Sequence, residues 1–507
     1  MVKSKKVKKV RMSRGRRKIK IPFFTFRHDF LDDTVRKFPS LECLTPLEIK
    51  EVERRTRNLM YFEDNARIPY QVVNFISKEL LKSRFEERDL SDEKNGSKKR
   101  KYFFKDPWDG DSMIIVREGR ESITNGFNLI VCHGDAPCLR LKPKPVKVEW
   151  DDDKIYNFLG VRLSATPHGG ISIHHWLGQQ VHIHGYIYDE QGNKRVIYLP
   201  GVVADTSAHV DYRAKELVED AFPPEKSLEV IVGHDGTLDT KKRLEFDSID
   251  DFVKCKLFAV PTTTCLAIDE WSWRLLSAYG HDDRACVYSA VDAIRRARDP
   301  TLTSILWITD NEEVGDTIPS GIDGSFFDLV LDYLCTKEGV KKGAQISEVE
   351  RRGILKKSSM LYGDVGISTY GHDVDEMDSM NMSAIGFGVG IEADAESVSS
   401  PNFVRRLLNL ARRGSSRAQN ICCQAVGSPY LQDKEEVWHY DPHITKSSLK
   451  YIGQWATGVG IPCASLHSSN EIICPGDEFW TYKFYRRFFE SNKGLETNNG
   501  DVHKDVS

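Results

Sequence analysis

The 507-residue sequence lacks the features that mark several classes of protein. No uninterrupted apolar run approaches the ~18 residues that a membrane-spanning helix needs, so no membrane span is expected. The first residues are charged with no apolar stretch behind them, which argues against a secretory signal. There is no CxxC pair to suggest a zinc finger, no HExxH helix and no GxxxxGKS/T phosphate loop. A GxSxG nucleophile elbow is also missing. Gly386-Phe387-Gly388-Val389-Gly390 is glycine-rich without GxGxxG spacing, and reads as close backbone packing in a strand or turn. Cysteines number eleven, odd and scattered, with Cys422 beside Cys423. That usage fits reduced thiols in an intracellular, cytoplasmic protein.

Charge is nearly balanced, with 72 Lys and Arg against 75 Asp and Glu, but it is unevenly placed. Residues 1–20 hold eleven basic side chains and no acidic one; removing these leaves 61 basic against 75 acidic residues, a balance of −14. The chain reads as an acidic body with a cationic arm, and the two call for separate explanations. Hydrophobic residues make up 40% of the chain, enough for a large core, and the length suits about two to four domains.

Along the body, Thr45-Pro46-Leu47-Glu48 predicts a helix start, with Thr45 as cap, Pro46 in the first turn and Glu48 closing a capping box. Apolar residues at helical spacing predict a second helix from Tyr70 to Phe85, and the hydrophilic stretch 87–101 reads as a solvated loop. From about residue 110 strands alternate with helices. Phe127 to Cys132 is a buried strand, Ser304 to Thr309 another, Ala285 to Ala297 a helix, and the aromatics Phe479 to Phe489 a packed terminal helix. Between about 146 and 255 the pattern is β-rich; Val181 to Tyr188 alternates and Asp189 to Asn193 supplies a hairpin turn. The pattern predicts one α/β domain interrupted by a β-rich insertion.

Five short segments concentrate histidine and carboxylate: His133-Gly134-Asp135, Gly280-His281-Asp282-Asp283-Arg284, Asp310-Asn311-Glu312-Glu313, Gly363-Asp364-Val365 and Ser465-Leu466-His467-Ser468. Open α/β sheets place ligands at the carboxyl ends of strands, where residues following apolar runs converge. Imidazole with carboxylate suits Zn²⁺ or another borderline divalent ion, and two ions require a shared carboxylate. Residues i and i+2 of a strand lie on one side, so Asp135 can support the His133 ring while its other nitrogen binds metal. Glu312 and Glu313 can divide two duties, one ligating and one handling a proton. Taken singly, any such His or Asp is more often structural; the five together carry the metal-site reading.

These segments, in order over residues 110–490, resemble the M18 family of metalloaminopeptidases, particularly its bacterial aminopeptidase I-like branch. The similarity lies in Cys132-His133-Gly134-Asp135-Ala136-Pro137-Cys138-Leu139-Arg140-Leu141-Lys142-Pro143, Gly169-Gly170-Ile171, Ala278-Tyr279-Gly280-His281-Asp282-Asp283-Arg284, Asp310 to Gly315, and Ser465 to Ser468. The resemblance implies a three-layer α/β/α metallopeptidase catalytic domain over 23–145 and 256–494. It further implies a β-rich dimerisation domain over 146–255, between a disordered basic arm (1–22) and a flexible tail (495–507). It implies two divalent ions per subunit, zinc with cobalt or manganese as alternatives. His133, Asp282 and Asp364 would hold one ion and Asp282, Glu313 and His467 the other. Glu312 would be the general base and Asp135 the support of His133. Peptides would be the substrates, cut at the first peptide bond, and dimers would assemble into a dodecamer. A histidine of the insertion is expected to complete a neighbouring subunit's site; His209 is the best match, with His182 and His184 competing.

Where relatives often carry other residues, this chain has Gly134, Ala136, Tyr362-Gly363 and Ser468-Ser469. These positions border the site and remove no ligand. They leave the N-terminal residue preference open between acidic and neutral or hydrophobic side chains. An alternative to the enzyme is a weakly active assembly or cargo protein of the peptidase fold. For the arm, three readings stand side by side: a tether for nucleic acid or an anionic surface, a nuclear-import signal, or a solvated tail.

Overall fold

A computed structural model describes residues 39–91, 99–147, 161–205, 228–233, 246, 249–268, 274–343, 345–368, 377–378, 380–393, 400–412, 420–427 and 455–491. The basic arm, the tail from 495 and His209 lie outside the described residues, as does 92–98 within the expected solvated loop.

The runs Phe127–His133 and Thr303–Thr309 are buried at every position, as strands covered on both faces must be. They pair in parallel, with His133 opposite Thr309. Ser359–Tyr362 lies parallel on the other side of Phe127–His133, and Ala456–Gly460 lies parallel beyond it. Among the described residues these strands form the centre of a nine-stranded sheet. Alternate side chains face opposite layers. Ile130, Cys132, Leu306 and Ile308 pack with helices Pro46–Asn65, His281–Arg296 and Pro475–Phe489. Leu129, Val131, Ile305 and Trp307 pack with helix Phe326–Lys342. The result is an α/β/α arrangement, as expected from the sequence.

Local signals decide where these helices begin and end. Thr45 Oγ1 accepts from the Glu48 amide at 3.4 Å while Glu48 Oε2 accepts from the Thr45 amide at 3.0 Å, the reciprocal cap expected from the sequence. The second helix, Pro69–Lys82, stops before Phe85: Arg84 takes a left-handed conformation (φ 66°), and the chain turns into the short strand Glu86–Glu87.

Between the halves of this sheet the chain builds a closed six-stranded barrel from Cys138–Lys147, Val161–His168, Gln180–Tyr188, Lys194–Val203, Glu229–Gly233 and Cys255–Pro261. Leu139, Leu163, Ile183, Leu199, Val230 and Leu257 lie in its core. Asp189 Oδ1 accepts from the amides of Gln191 and Asn193, at 2.9 and 2.8 Å, and so forms the expected hairpin turn. A smaller sheet includes Pro462–Ala464 and Glu471–Ile473 as an antiparallel pair. No helix among the described residues is long and apolar enough to cross a membrane, and none of the eleven cysteines is paired.

Candidate metal centre

Three neighbouring parallel strands end at one place. His133 is the last residue of its strand, and Glu312 and Glu313 follow the opposite strand, which ends at Thr309. Gly363 bonds its amide to the Val131 carbonyl at 2.6 Å, so Asp364 emerges on the other side of His133. Asp282 and Asp283 come from the start of helix His281–Arg296. His467 comes from the turn between Pro462–Ala464 and Glu471–Ile473, with φ of 60°.

His133 Nε2 lies 3.1 Å from Asp282 Oδ1, 3.6 Å from Asp364 Oδ1 and 3.9 Å from Glu312 Oε2. His467 Nε2 lies 3.3 Å from Asp282 Oδ2 and 3.8 Å from Glu313 Oε2. Asp282 therefore stands between two imidazoles and turns one oxygen to each. The other ring nitrogens are engaged elsewhere: His133 Nδ1 donates to the Asp135 carbonyl at 3.1 Å and His467 Nδ1 to the Gly170 carbonyl at 2.7 Å. In a neutral ring this leaves the Nε2 lone pair aimed at carboxylate oxygens, an arrangement that needs a proton or a cation between the two.

The donor set fits a cation. His133 with Asp283 and Asp364, His133 with Glu312 and Glu313, and Asp282 with Glu313 and His467 each present ligand atoms within 4.8 Å of one another. Asp282 Oδ1, Asp283 Oδ1 and Glu313 Oε1 are buried without a hydrogen bond. The nearest polar atom to Asp282 Oδ1 among the ring nitrogens of the site is His133 Nε2, at 3.1 Å. Buried carboxylate oxygens left in this state are costly, and a divalent cation among oxygen and nitrogen donors relieves them.

Electrostatics point the same way. Burial, with Asp364 and Asp135 nearby, pushes Glu312 up to about 8 against the pull of His133. Burial also raises Glu313 well above the usual range, and burial plus the Asp282 charge raises Asp364. Asp282 is buried too, yet His133 and His467 hold it well below the ordinary value. Burial opposes charging His467, but Glu313 and Asp282 outweigh it and push the ring up to about 11. The pocket holds more negative charge than its imidazoles can balance.

Asp135, expected to support His133, and three residues given no role by the sequence, His168, Asp283 and Glu471, complete the site. Asp135 does more than face the His133 ring, where its Oδ1 lies 3.4 Å from Nδ1. Its carboxylate accepts from the amides of Glu312 and Glu313, each at 3.2 Å, and from His168 Nε2 at 2.9 Å. Glu471, fully buried, accepts from the amides of Asp282 at 3.0 Å and His467 at 2.8 Å. Asp283 Oδ2 accepts from the His133 amide at 3.2 Å. His168 precedes the Gly169-Gly170 pair of the resemblance, and Glu471 follows His467 by four residues; that proximity was their signal. His182 engages Tyr198 and His184 engages Gln71.

A carboxylate-rich imidazole site at the carboxyl ends of parallel strands marks the class, an α/β protein with a candidate divalent-metal centre. Comparison with known proteins gives the family. The chain matches the Peptidase M18 family model, described as aminopeptidase I zinc metalloprotease, over residues 62–203 and 225–489. It belongs to that family and is a metalloaminopeptidase. A probable M18 family aminopeptidase 1 of Borrelia garinii subsp. bavariensis is 26% identical over 413 residues, 75% of this chain and 84% of the relative. One of Thermotoga neapolitana is 24% identical, over 87% of this chain and 96% of the relative. In fold the chain is similar to the crystal structure of an M18 aminopeptidase from Thermotoga maritima, with a TM-score of 0.77 at 22% identity over 90% of this chain and 99% of that one. It is also similar to the S. cerevisiae mApe1 dodecamer structure, with a TM-score of 0.65 at 17% identity over 85% and 95%.

Proposed function

We propose that the chain hydrolyses the N-terminal peptide bond of peptides with two divalent cations. His133, Asp282 and Asp364 would hold one cation and Asp282, Glu313 and His467 the other, zinc first and cobalt or manganese as alternatives. The observation that carries this is Asp282, with one oxygen toward each imidazole. When bound, paired cations acidify water and polarise the scissile carbonyl. Glu312 supplies the proton handling. It starts ionised beside the cations, takes a proton from the attacking water at a carboxylate oxygen, and gives it to the leaving amine. Asp135 fixes the two glutamates relative to His133 through their amides.

Glu312→Gln keeps the shape and removes the base. The expected outcome is retained zinc with kcat lower by about 10²–10⁴-fold on aminoacyl substrates. A full rate in this variant would unseat Glu312, and no turnover by zinc- or cobalt-loaded wild type on a substrate panel would unseat the reading itself.

The barrel is proposed as the surface on which copies pair toward a dodecamer. Exposed Val196, Tyr198 and Val202 line strand Lys194–Val203, and exposed Ile231 is paired opposite Val202. An apolar face of this kind suits a partner.

A further inference from the structure

The barrel strand Cys255–Pro261 reaches the catalytic loop by two routes. Lys256 and Phe258 lie two residues apart on this strand, so their side chains leave on the same side. Lys256 Nζ lies 2.7 Å from Asp310 Oδ2 and 2.8 Å from Asp111 Oδ2. Asp310 follows the last residue of strand Thr303–Thr309 and precedes Glu312 by two positions. Both carboxyls are 1% exposed, and Oδ1 of each accepts no hydrogen bond. Tyr186, the register partner of Lys256 on the neighbouring antiparallel strand, donates its hydroxyl to Asp111 Oδ2 at 2.7 Å. On the second route the Phe258 ring meets His168 edge-on, 5.4 Å between centroids, and His168 holds the Asp135 carboxylate that accepts the Glu312 and Glu313 amides.

We propose that Lys256 is a positioning residue: its ammonium, fixed by the barrel, anchors Asp310 and thereby sets the loop that carries Glu312 and Glu313. This rests on the reading of those two glutamates given above. Without the ammonium, two buried carboxyls face each other and Asp310 has no cation to hold it. A displacement of about 1 Å at the loop is enough to cost about 10²-fold in rate.

The test uses the full chain with zinc. Lys256→Met is expected to lower kcat at least about ten-fold with little change in KM. It should also weaken zinc binding, read by competition with a chromogenic chelator. The double variant Lys256→Met with Asp111→Asn removes one of the facing acids and should recover thermal stability. If Lys256 positions the loop, kcat and zinc affinity stay low in the double variant, because Asp310 still lacks its anchor. If they return with stability, or if folded Lys256→Met keeps wild-type kcat and zinc affinity, the proposal is overturned. Should Lys256→Met alone fail to fold, the double variant carries the same test. Zinc-loaded wild type without peptidase activity would defeat the functional reading, while the zinc titration would still decide the role of Lys256.

Discussion

Gly169 shows how tightly single residues of the barrel press on the site. It sits at φ of 84°, and a Cβ there would lie 2.6 Å from Glu313 Oε2. Gly169→Ala therefore meets two penalties, a left-handed alanine and a displaced glutamate. The expected result is weaker zinc binding in chelator competition and a lower kcat, with the barrel still folded by circular dichroism. Unchanged zinc affinity would mean that Glu313 swings aside freely. The convergence of His133, Asp282, Glu312, Glu313, Asp364 and His467 was legible from sequence because each follows an apolar run or sits in a tight turn. His168 and Glu471 were not. Their nearness to Gly169-Gly170 and to His467 was the one local signal; the Asp135 and Asp282 groups they hold lie 33 and 189 positions away, beyond the reach of local spacing.

At the scale of elements, the helices against the sheet are joined by a group that composition alone would place outside. Arg55 of helix Pro46–Asn65 is fully buried. It pairs with Asp292 of helix His281–Arg296 and Glu478 of helix Pro475–Phe489, with Nε 3.2 Å from Glu478 Oε2. Its guanidinium also lies 3.9 Å from the centroid of the Tyr482 ring. Arginine is mostly exposed in proteins, so the sequence pattern gave no reason to seat this one inside. The caps were legible because they are local; the ionic knot was not, since its members are 237 and 423 residues away from Arg55. Arg55→Met leaves buried Glu478 without its cation and Asp292 with Arg295 and Arg296 alone. The expected loss is about 3–5 kcal/mol, read as a shift of the denaturation midpoint in zinc-loaded protein. A loss below about 1 kcal/mol, the range of an exposed pair, would mean that Arg296, 2.9 Å from Asp292, and Ser289, 2.7 Å from Glu478, already satisfy these acids.

Over the whole molecule, the acidic balance of the body acquires a location. Several of its carboxyls are buried and held in the neutral range: Glu312 at about 8, and Asp310, Asp316, Glu471 and Asp477 at about 7, with burial the first cause in each case. Asp477 shows that not all of these serve the metal centre, since its carboxylate caps the glycine-rich turn through the amides of Gly386 and Gly388 at 2.6 and 2.7 Å. Unfolded, such groups titrate near 4. Between about pH 4.5 and 8 the folded, metal-free chain thus binds more protons than the unfolded chain, and its stability falls as pH rises. His467, raised to about 11, continues the same trend above its unfolded value. Burial lowers His184 to about 4 and lowers His175 and His182 as well, so these three oppose the trend below pH 6.5; they are outnumbered, because burial also raises Asp111, Asp283, Glu313 and Asp364. Asp282, held low by its imidazoles, acts only below about pH 4, outside this window. Protein stripped with a chelator should therefore lose denaturation midpoint steadily from pH 5.5 to 8.5. Zinc should flatten that slope, because cations bound to the folded state replace protons as partners of the buried carboxylates. A midpoint that rises with pH in the stripped protein would show that these acids are already ionised in the fold. A slope untouched by zinc would place the titrating acids away from the metal centre.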